Sequence, residues 1–293
     1  MTEHTSRQGD SVKLDRGVKS GQHVVRKGSE QEAVRAVLAA GTRLGFAELA
    51  AAAQVGAAHP VVTRKPRVAV LSTGDEVAEP GTERKAGQIY DSNRFSLCGL
   101  VEAAGASAID LGIVPDQLDE LSARLAEAAA TADVVLTSGG VSVGDHDLVK
   151  SVLGDSGEIE FWQVAMQPGR PLAMGHIGRA LFFGLPGNPV ASMLTFHLFV
   201  RPALWKLCGR RELFPPRLQA VAAEPMRKRT GRREFKRGIL SPAAAGWEVR
   251  TTGPQGSGIL TSMVQADCFV VLEEERGDVA PGERVWVELF SLA

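Results

Sequence analysis

Short apolar runs alternate with amphipathic stretches through the middle of this chain. Arg67 to Leu71 reads as a buried strand and Asn93 to Ala104 as a helix, with Phe95, Leu97, Leu100 and Val101 on its apolar side and Gly105 as its stop. Ser107 to Val114 is a second strand, Leu118 to Ala130 a second helix, and Asp133 to Thr137 a third strand. Leu148 to Leu153 predicts a short helix, Glu158 to Val164 and Ala180 to Phe183 further strands, and His176 falls in a strand or hairpin between them. A long helix is predicted from Val190 to Leu207. Strands alternating with helices predict an α/β fold: a mostly parallel sheet covered by helices on both faces.

The pattern differs at both ends. Residues Met1 to Lys27 lack periodicity and are expected to be mobile; Gln31 to Leu38 and the alanine-rich Phe46 to Val55 predict two small helices around a turn at Gly41 to Leu44. This lead-in has too few large apolar residues to hold a core alone. After the Arg210 to Arg217 linker the helical period stops. Leu218 to Ala223, Glu234 to Leu240, Trp247 to Thr252, Cys268 to Leu272 and Val285 to Phe290 read as short strands of a small all-β domain. The division is 1–63, 64–209 and 210–293. Arg227-Lys228-Arg229 and Arg232-Arg233 form a basic cluster, read first as a solvated strand-turn face and otherwise as an anion or partner contact.

Composition narrows the class. A chain of 293 residues with 44% hydrophobic content and a net charge of −1 is an ordinary globular protein, with no global call for nucleic acid or a membrane. No apolar run reaches membrane-spanning length and the polar start is not a signal peptide, so a cytoplasmic location is expected. Cys98, Cys208 and Cys268 have no metal-ligand spacing and read as reduced structural thiols.

The candidate chemistry centres on Asp133 to Asp147, where the third strand breaks into Thr137, Ser138, Gly139, Gly140, Ser142 and Gly144 and closes on Asp145 and Asp147. A strand, a glycine-rich turn and a helix start suit an anion, because glycine lets the backbone approach it and first-turn N–H groups are unpaired. The two carboxylates suggest a divalent cation held against a phosphate. The bland alternative is a tight turn with an aspartate cap. Gly140-Val141-Ser142-Val143-Gly144 also matches a serine-hydrolase nucleophile elbow, but no histidine follows His197. Ligands of open α/β sheets sit beyond the carboxyl ends of the strands. Glu76, Asp116, Asp147 and the Leu185 to Pro189 turn all fall there, so four separate stretches are expected on one rim.

Five motifs in order resemble the molybdopterin molybdenumtransferase family, the MoeA type similar to the C-terminal domain of gephyrin. They are Ser72 to Glu76, Gly87 to Asn93, Thr137 to Asp147, Gln167 to Pro171, and Gly184 to Pro189, with Thr252 to Ser257 resembling the family's last loop. A related non-catalytic domain of the same sheet type exists in nicotinamide-nucleotide hydrolases of the competence-damage kind; the Leu185 to Pro189 turn followed by a β domain argues against that reading. The resemblance implies the molybdopterin-binding fold. It also implies a transferase of molybdenum cofactor biosynthesis that inserts molybdate into adenylylated molybdopterin with a magnesium ion and releases AMP. It assigns Asp147, Glu76 and Asp116 to catalysis and Glu76 and Asp147 to the metal. It assigns Thr73, Asp75, Ser138, Gly139, Gly140, Ser142, Gly144, Asp145, Gln167, Arg170, Pro186, Gly187, Asn188, Pro189 and Ser257 to substrate. Gln163, Gln167 and Arg170 stand where the family carries lysines. Full-length members begin with an additional domain holding an Asp-Asn-Ser-Ala-Met-Asp-Gly-Tyr motif that this sequence does not contain. Residues Gly21 to Leu44 resemble the tail of the family's dimerisation segment, making a homodimer the expected partner. A separate chain supplying the extra domain, or the upstream adenylyltransferase, is a further candidate. The alternative function is a catalytically impaired paralogue that binds pterin nucleotides or assists assembly.

Overall fold

The structure is a computed structural model that describes residues 4–17, 19–140, 159–244 and 246–290. Two compact units divide it, Met1–Pro60 and Val61–Ala293. The predicted Leu148 to Leu153 helix lies outside the described residues.

In the first unit, β1 (Thr5–Gln8) pairs antiparallel with β2 (Ser11–Leu14). Residues expected to be mobile therefore form a hairpin; the Gly9-Asp10 two-residue loop, with Gly9 at φ 63°, was the available signal. The helix expected over Gln31 to Leu38 is absent. That stretch makes turns, Val34 sits at φ 72°, and its side chain is fully exposed. A helix of eight residues with no face to bury does not repay its nucleation. Helix α1 (Phe46–Gln54) forms as expected.

The second unit starts with a six-stranded sheet. In chain order its parts are β3 (Arg67–Thr73), the short β4 (Val77–Ala78) and β5 (Ile89–Tyr90) beside it, α2 (Asn93–Ala103), β6 (Ser107–Val114), α3 (Leu118–Thr131) and β7 (Val134–Ser138). After these come β8 (Ile159–Gln163), β9 (Met166–Gln167), β10 (Pro171–Ile177) and β11 (Ala180–Leu185). The sheet order is β6-β3-β7-β11-β10-β8. The first four strands run parallel, and β10 is antiparallel to both neighbours.

Alternate residues explain the layers. Val68, Val70, Val134, Leu136, Phe183 and Leu185 pack on Leu97 and Val101 of α2 and on Phe196, Val200 and Leu204 of the long helix. Ala69, Leu71, Val135 and Phe182 pack on Leu121, Leu125 and Ala128 of α3. A strand buried on both faces is apolar through its middle, which is why these strands read as runs, with buried Ser and Thr only at the carboxyl ends of β3 and β7. The long helix is continuous but not uniform: α4 (Pro189–Thr195) passes through a π-helical turn, Phe196–Val200, into α5 (Arg201–Leu207).

Strands β12 (Arg217–Ala222), β13 (Arg233–Ala243), β14 (Gly246–Thr251), β15 (Cys268–Leu272) and β16 (Arg284–Leu289), with α6 (Thr261–Gln265), make the β domain. The ladder runs β14-β12-β16-β15-β13, and β13 pairs back onto β14, so the sheet closes as a small barrel. Gly238 lies at the closure: a Cβ there would stand 2.8 Å from methyls of both Val249 and Val270. Strand β9, from the α/β part, adds to the barrel beside Arg233 and Glu234 of β13. Leu194, Met166, Phe235 and Phe269 fill the seam between the two parts.

In the basic cluster, Arg227, Arg229, Arg232 and Arg233 are exposed. Lys228 is buried, and its ammonium donates to the carbonyls of Arg229, Glu274 and Arg276. The three cysteines are free thiols, and burial pushes that of Cys268 up to about 12. No helix among the described residues is long and apolar enough to cross a membrane.

Candidate functional site

The parallel register brings four strand ends to one edge. Ser72 lies beside Ser138, Ser138 beside Leu185, and Thr73 beside Val114. The loops leaving those ends meet barrel residues around a cleft of about 480 Å³. Its wall is built from Gly139 and Gly140 after β7, Gln167 to Gly169 with Pro171, Pro186 to Asn188 with Ala191, and Gln255 to Ser257 from the barrel. Glu76 completes it and carries the one ionisable side chain among the described lining residues.

Local chemistry sets each wall. Gly139 has φ +92°, and a Cβ on it would stand 2.9 Å from the Thr73 carbonyl oxygen. A side chain at this position would therefore push β7 from β3. The Gly139 N–H donates to the Leu185 carbonyl at 3.1 Å, so the glycine turn rests on the end of β11. The second turn follows at once, with Asn188 as the N-cap and Pro189 as the first residue of α4, a position where the missing N–H costs nothing. The Val190 N–H is taken by the Ser257 carbonyl at 3.1 Å, which joins the barrel loop to the helix start.

The barrel loop is held from behind by Arg237. This side chain is fully buried, and its guanidinium donates to the carbonyls of Gln255 (3.1 Å) and Gly256 (2.9 Å) and to Ser262 Oγ (2.9 Å). Gln255 Oε1 accepts the Arg237 N–H at 2.8 Å. Burial lowers the Arg237 pKa from its ordinary value.

Among the residues expected at the site, Glu76, Gly139, Gly140, Gln167, Pro186, Gly187, Asn188 and Ser257 line the cleft. Thr73 and Ser138 are buried beneath it. Asp75 and Asp116 sit together at its edge, where the Asp116 N–H donates to Asp75 Oδ1 at 3.2 Å. Burial, with the charges of Asp75 and Glu76, raises the Asp116 pKa. Arg170 is not in the lining; its guanidinium reaches Gln163 Oε1 at 2.6 Å, so two of the three lysine replacements engage each other. Ser142, Gly144, Asp145 and Asp147 lie outside the described residues, so the serine of the hydrolase elbow and the expected metal ligand do too. His197, the last histidine, is committed to Glu288 and Arg201.

Two supporting residues were missed. Arg237 was readable as a charged residue at a buried position of a strand. Asn93 closes the Gly87 to Asn93 motif, whose other members brace the same region. Gln88 Nε2 donates to the Asp75 carbonyl at 3.0 Å, and Asp91 pairs with the buried Arg94, which also binds Glu79 and Asp110. Asn93 Nδ2 donates to Ser138 Oγ at 2.8 Å and to the Gly187 carbonyl at 2.7 Å.

No trio of His, Cys, Asp or Glu among the described residues is arranged to hold a metal. Among the described lining residues Glu76 carries the one carboxylate. That fits magnesium, which uses one or two carboxylates and completes its shell with phosphate and water.

Two family models match the chain. One describes a probable molybdopterin binding domain and covers residues 69–206; the other describes the MoeA C-terminal region (domain IV) and covers 219–290. A molybdopterin molybdenumtransferase of Haemophilus influenzae is 41% identical over 275 residues, 93% of this chain and 68% of that protein. Molybdopterin molybdenumtransferase 2 of Mycobacterium tuberculosis is 35% identical over 285 residues, 95% of this chain and 70% of that one. Two crystal structures of a molybdopterin biosynthesis MoeA protein from Pyrococcus horikoshii superpose with a TM-score of 0.79 at 34% and 29% identity. They cover 99% of this chain and 71% and 70% of those chains.

Proposed function

Because this chain belongs to the molybdopterin molybdenumtransferase family, we propose that its cleft binds adenylylated molybdopterin and molybdate, inserts the metal into the pterin dithiolene and releases AMP with the help of magnesium. The observation that carries this reading is the meeting of three chain-distant walls with Glu76: the Gly139-Gly140 turn, the Pro186 to Asn188 turn and the Gln255 to Ser257 loop.

Each wall has a part in the proposal. The Gly139-Gly140 turn lets a phosphate reach the main chain without a Cβ in the way. The uncharged amides of Gln167, Asn188 and Gln255 offer both donors and acceptors to a pterin or adenine edge. The rigid Pro186 to Pro189 turn fixes the floor, and Ser257 brings a hydroxyl from the barrel. Glu76, with Asp147 as the second ligand proposed from the sequence, would hold magnesium, which neutralises phosphate charge as the adenylate is cleaved. Asp116, beside Asp75, would position substrate from the edge. Catalysis by this chain's own groups is then mainly orientation and charge placement.

Calorimetric titration with adenylylated molybdopterin, with and without magnesium, tests the reading. Saturable binding that tightens with magnesium is expected; absence of binding under both conditions overturns it. We also propose a homodimer, supported by the exposure of Phe46 (92%) and Leu49 (52%) on α1. Light scattering should return twice the 31.1 kDa of one chain.

A further inference from the structure

Two of the cleft walls come from turns far apart in sequence, and one side chain holds both. Asn93 opens α2 and is buried (8% exposed). Its Nδ2 reaches Ser138 Oγ across 45 residues and the Gly187 carbonyl across 94. The direction of the amide is decided by Gly187: a carbonyl oxygen only accepts, so the nitrogen must face it. Both N–H bonds are thereby used, one on the strand end that leads into Gly139 and one inside the Pro186 to Asn188 turn. The two turns are in close approach, since a Cβ on Gly187 would lie 3.8 Å from the Gly139 Cα. At that separation a small shift of either turn alters the cleft wall formed by both.

We propose that Asn93 is a positioning residue of the cleft, setting the spacing between the Gly139 turn and the Gly187 turn on which the nucleotide lies. The proposal rests on the functional reading above for the identity of the ligand, but not for the geometry. Aspartate at this position would keep the size and lose both donors, and its carboxylate would face the Gly187 carbonyl. Alanine would leave that carbonyl and the Ser138 hydroxyl without their partner.

Asn93→Ala and Asn93→Asp should be compared with Val101→Ala. Val101 lies on the same helix in the apolar core with Leu136 and Leu185, so its truncation loosens the packing of α2 on the strands while leaving both Asn93 hydrogen bonds in place. Amide hydrogen exchange is read first, at a temperature where all variants are folded. Both Asn93 variants are expected to speed exchange in residues 138–140 and 187–188 together, while Val101→Ala leaves these turn residues at the parent rate. The dissociation constant for adenylylated molybdopterin is read second. It should rise about tenfold or more in the Asn93 variants, the loss expected for two buried hydrogen bonds, and stay unchanged in Val101→Ala. Unchanged exchange in the two turns overturns the proposal whatever the ligand does. So does nucleotide affinity that falls equally in Val101→Ala. A parent protein that binds no pterin nucleotide, while Asn93→Ala still loosens both turns, would overturn the functional reading and leave the positioning role standing.

Discussion

Arg237 Nη2 donates to the carbonyl oxygen of Gly256 at 2.9 Å, from a side chain with no exposed surface. Three carbonyls, of Pro254, Gln255 and Gly256, and the Ser262 hydroxyl accept from its guanidinium, so the charge is balanced by dipoles of the loop it supports. Arg237→Met should therefore cost about 3 kcal/mol, the order for losing buried hydrogen bonds to a charged group. Urea denaturation measures this cost. Nucleotide affinity should fall with it, because residues 255–257 line the cleft. Arg237→Lys should recover little, since one ammonium cannot reproduce the planar fork.

Gly139→Ala tests the glycine turn. The residue would have to hold φ +92° with its Cβ 2.9 Å from the Thr73 oxygen. Strain of about 1–3 kcal/mol is expected, relieved by a shift of the turn. The readouts are a lower Tm and weaker binding of adenylylated molybdopterin. Retained affinity would remove this turn from the binding site.

Glu76→Gln keeps the shape of the cleft wall and removes the charge. Magnesium titration of nucleotide binding should shift to higher concentration by at least about tenfold, the order seen when even a hydrogen-bond partner of a metal ligand is removed. Binding without magnesium should change little. A variant with an unchanged magnesium midpoint would place the ion elsewhere.

Stability should fall on the acid side. Burial lowers the His197 pKa below 6.5, with the Arg201 charge adding to it and Glu288 opposing. The folded protein thus binds fewer protons at this site than the unfolded chain, so the contribution is intact above about pH 6.5 and is lost as pH falls toward the folded value. Glu288 acts in the same direction lower down. Its pKa is held below 4.5 by His197 and Arg217 despite burial, so its contribution disappears as pH drops through that depressed value. Thermal melts from pH 8 to 4 should show a level region followed by a decline. His197→Gln should flatten the upper part of the decline.

Much of the architecture was readable along the chain. The runs at Val68 to Leu71 and Val134 to Leu136 demanded two covered faces, and Ser107–Val114 and Cys268–Leu272 were bounded correctly by apolar pattern and turn residues. The buried runs need only local composition, since burial on both faces leaves little room for polar side chains, whereas the edge strand Ser107–Val114 carries Asp110 and is bounded by its flanking turns. The same method failed at Gln31 to Leu38, where apolar spacing suggested a helix that has nothing to bury, and at Thr5 to Leu14, where a two-residue turn outweighed missing periodicity.

For the site, sequence order alone determined the motifs and the rim: glycine at 139 and 140, proline at 186 and 189, and acids at 76 and 116 placed just past strand ends. Tertiary structure decided which of them face the cleft. Glu76 lines it while Asp116 stands at the edge, and Arg170 turns to Gln163 instead. It also assigned Asn93 and Arg237, whose partners lie 94 and 19 residues away. Side-chain direction and long-range hydrogen bonds depend on the register between β3, β7 and β11 and on the closure of the barrel. Those are set by packing across the whole unit, and no window of local sequence contains them.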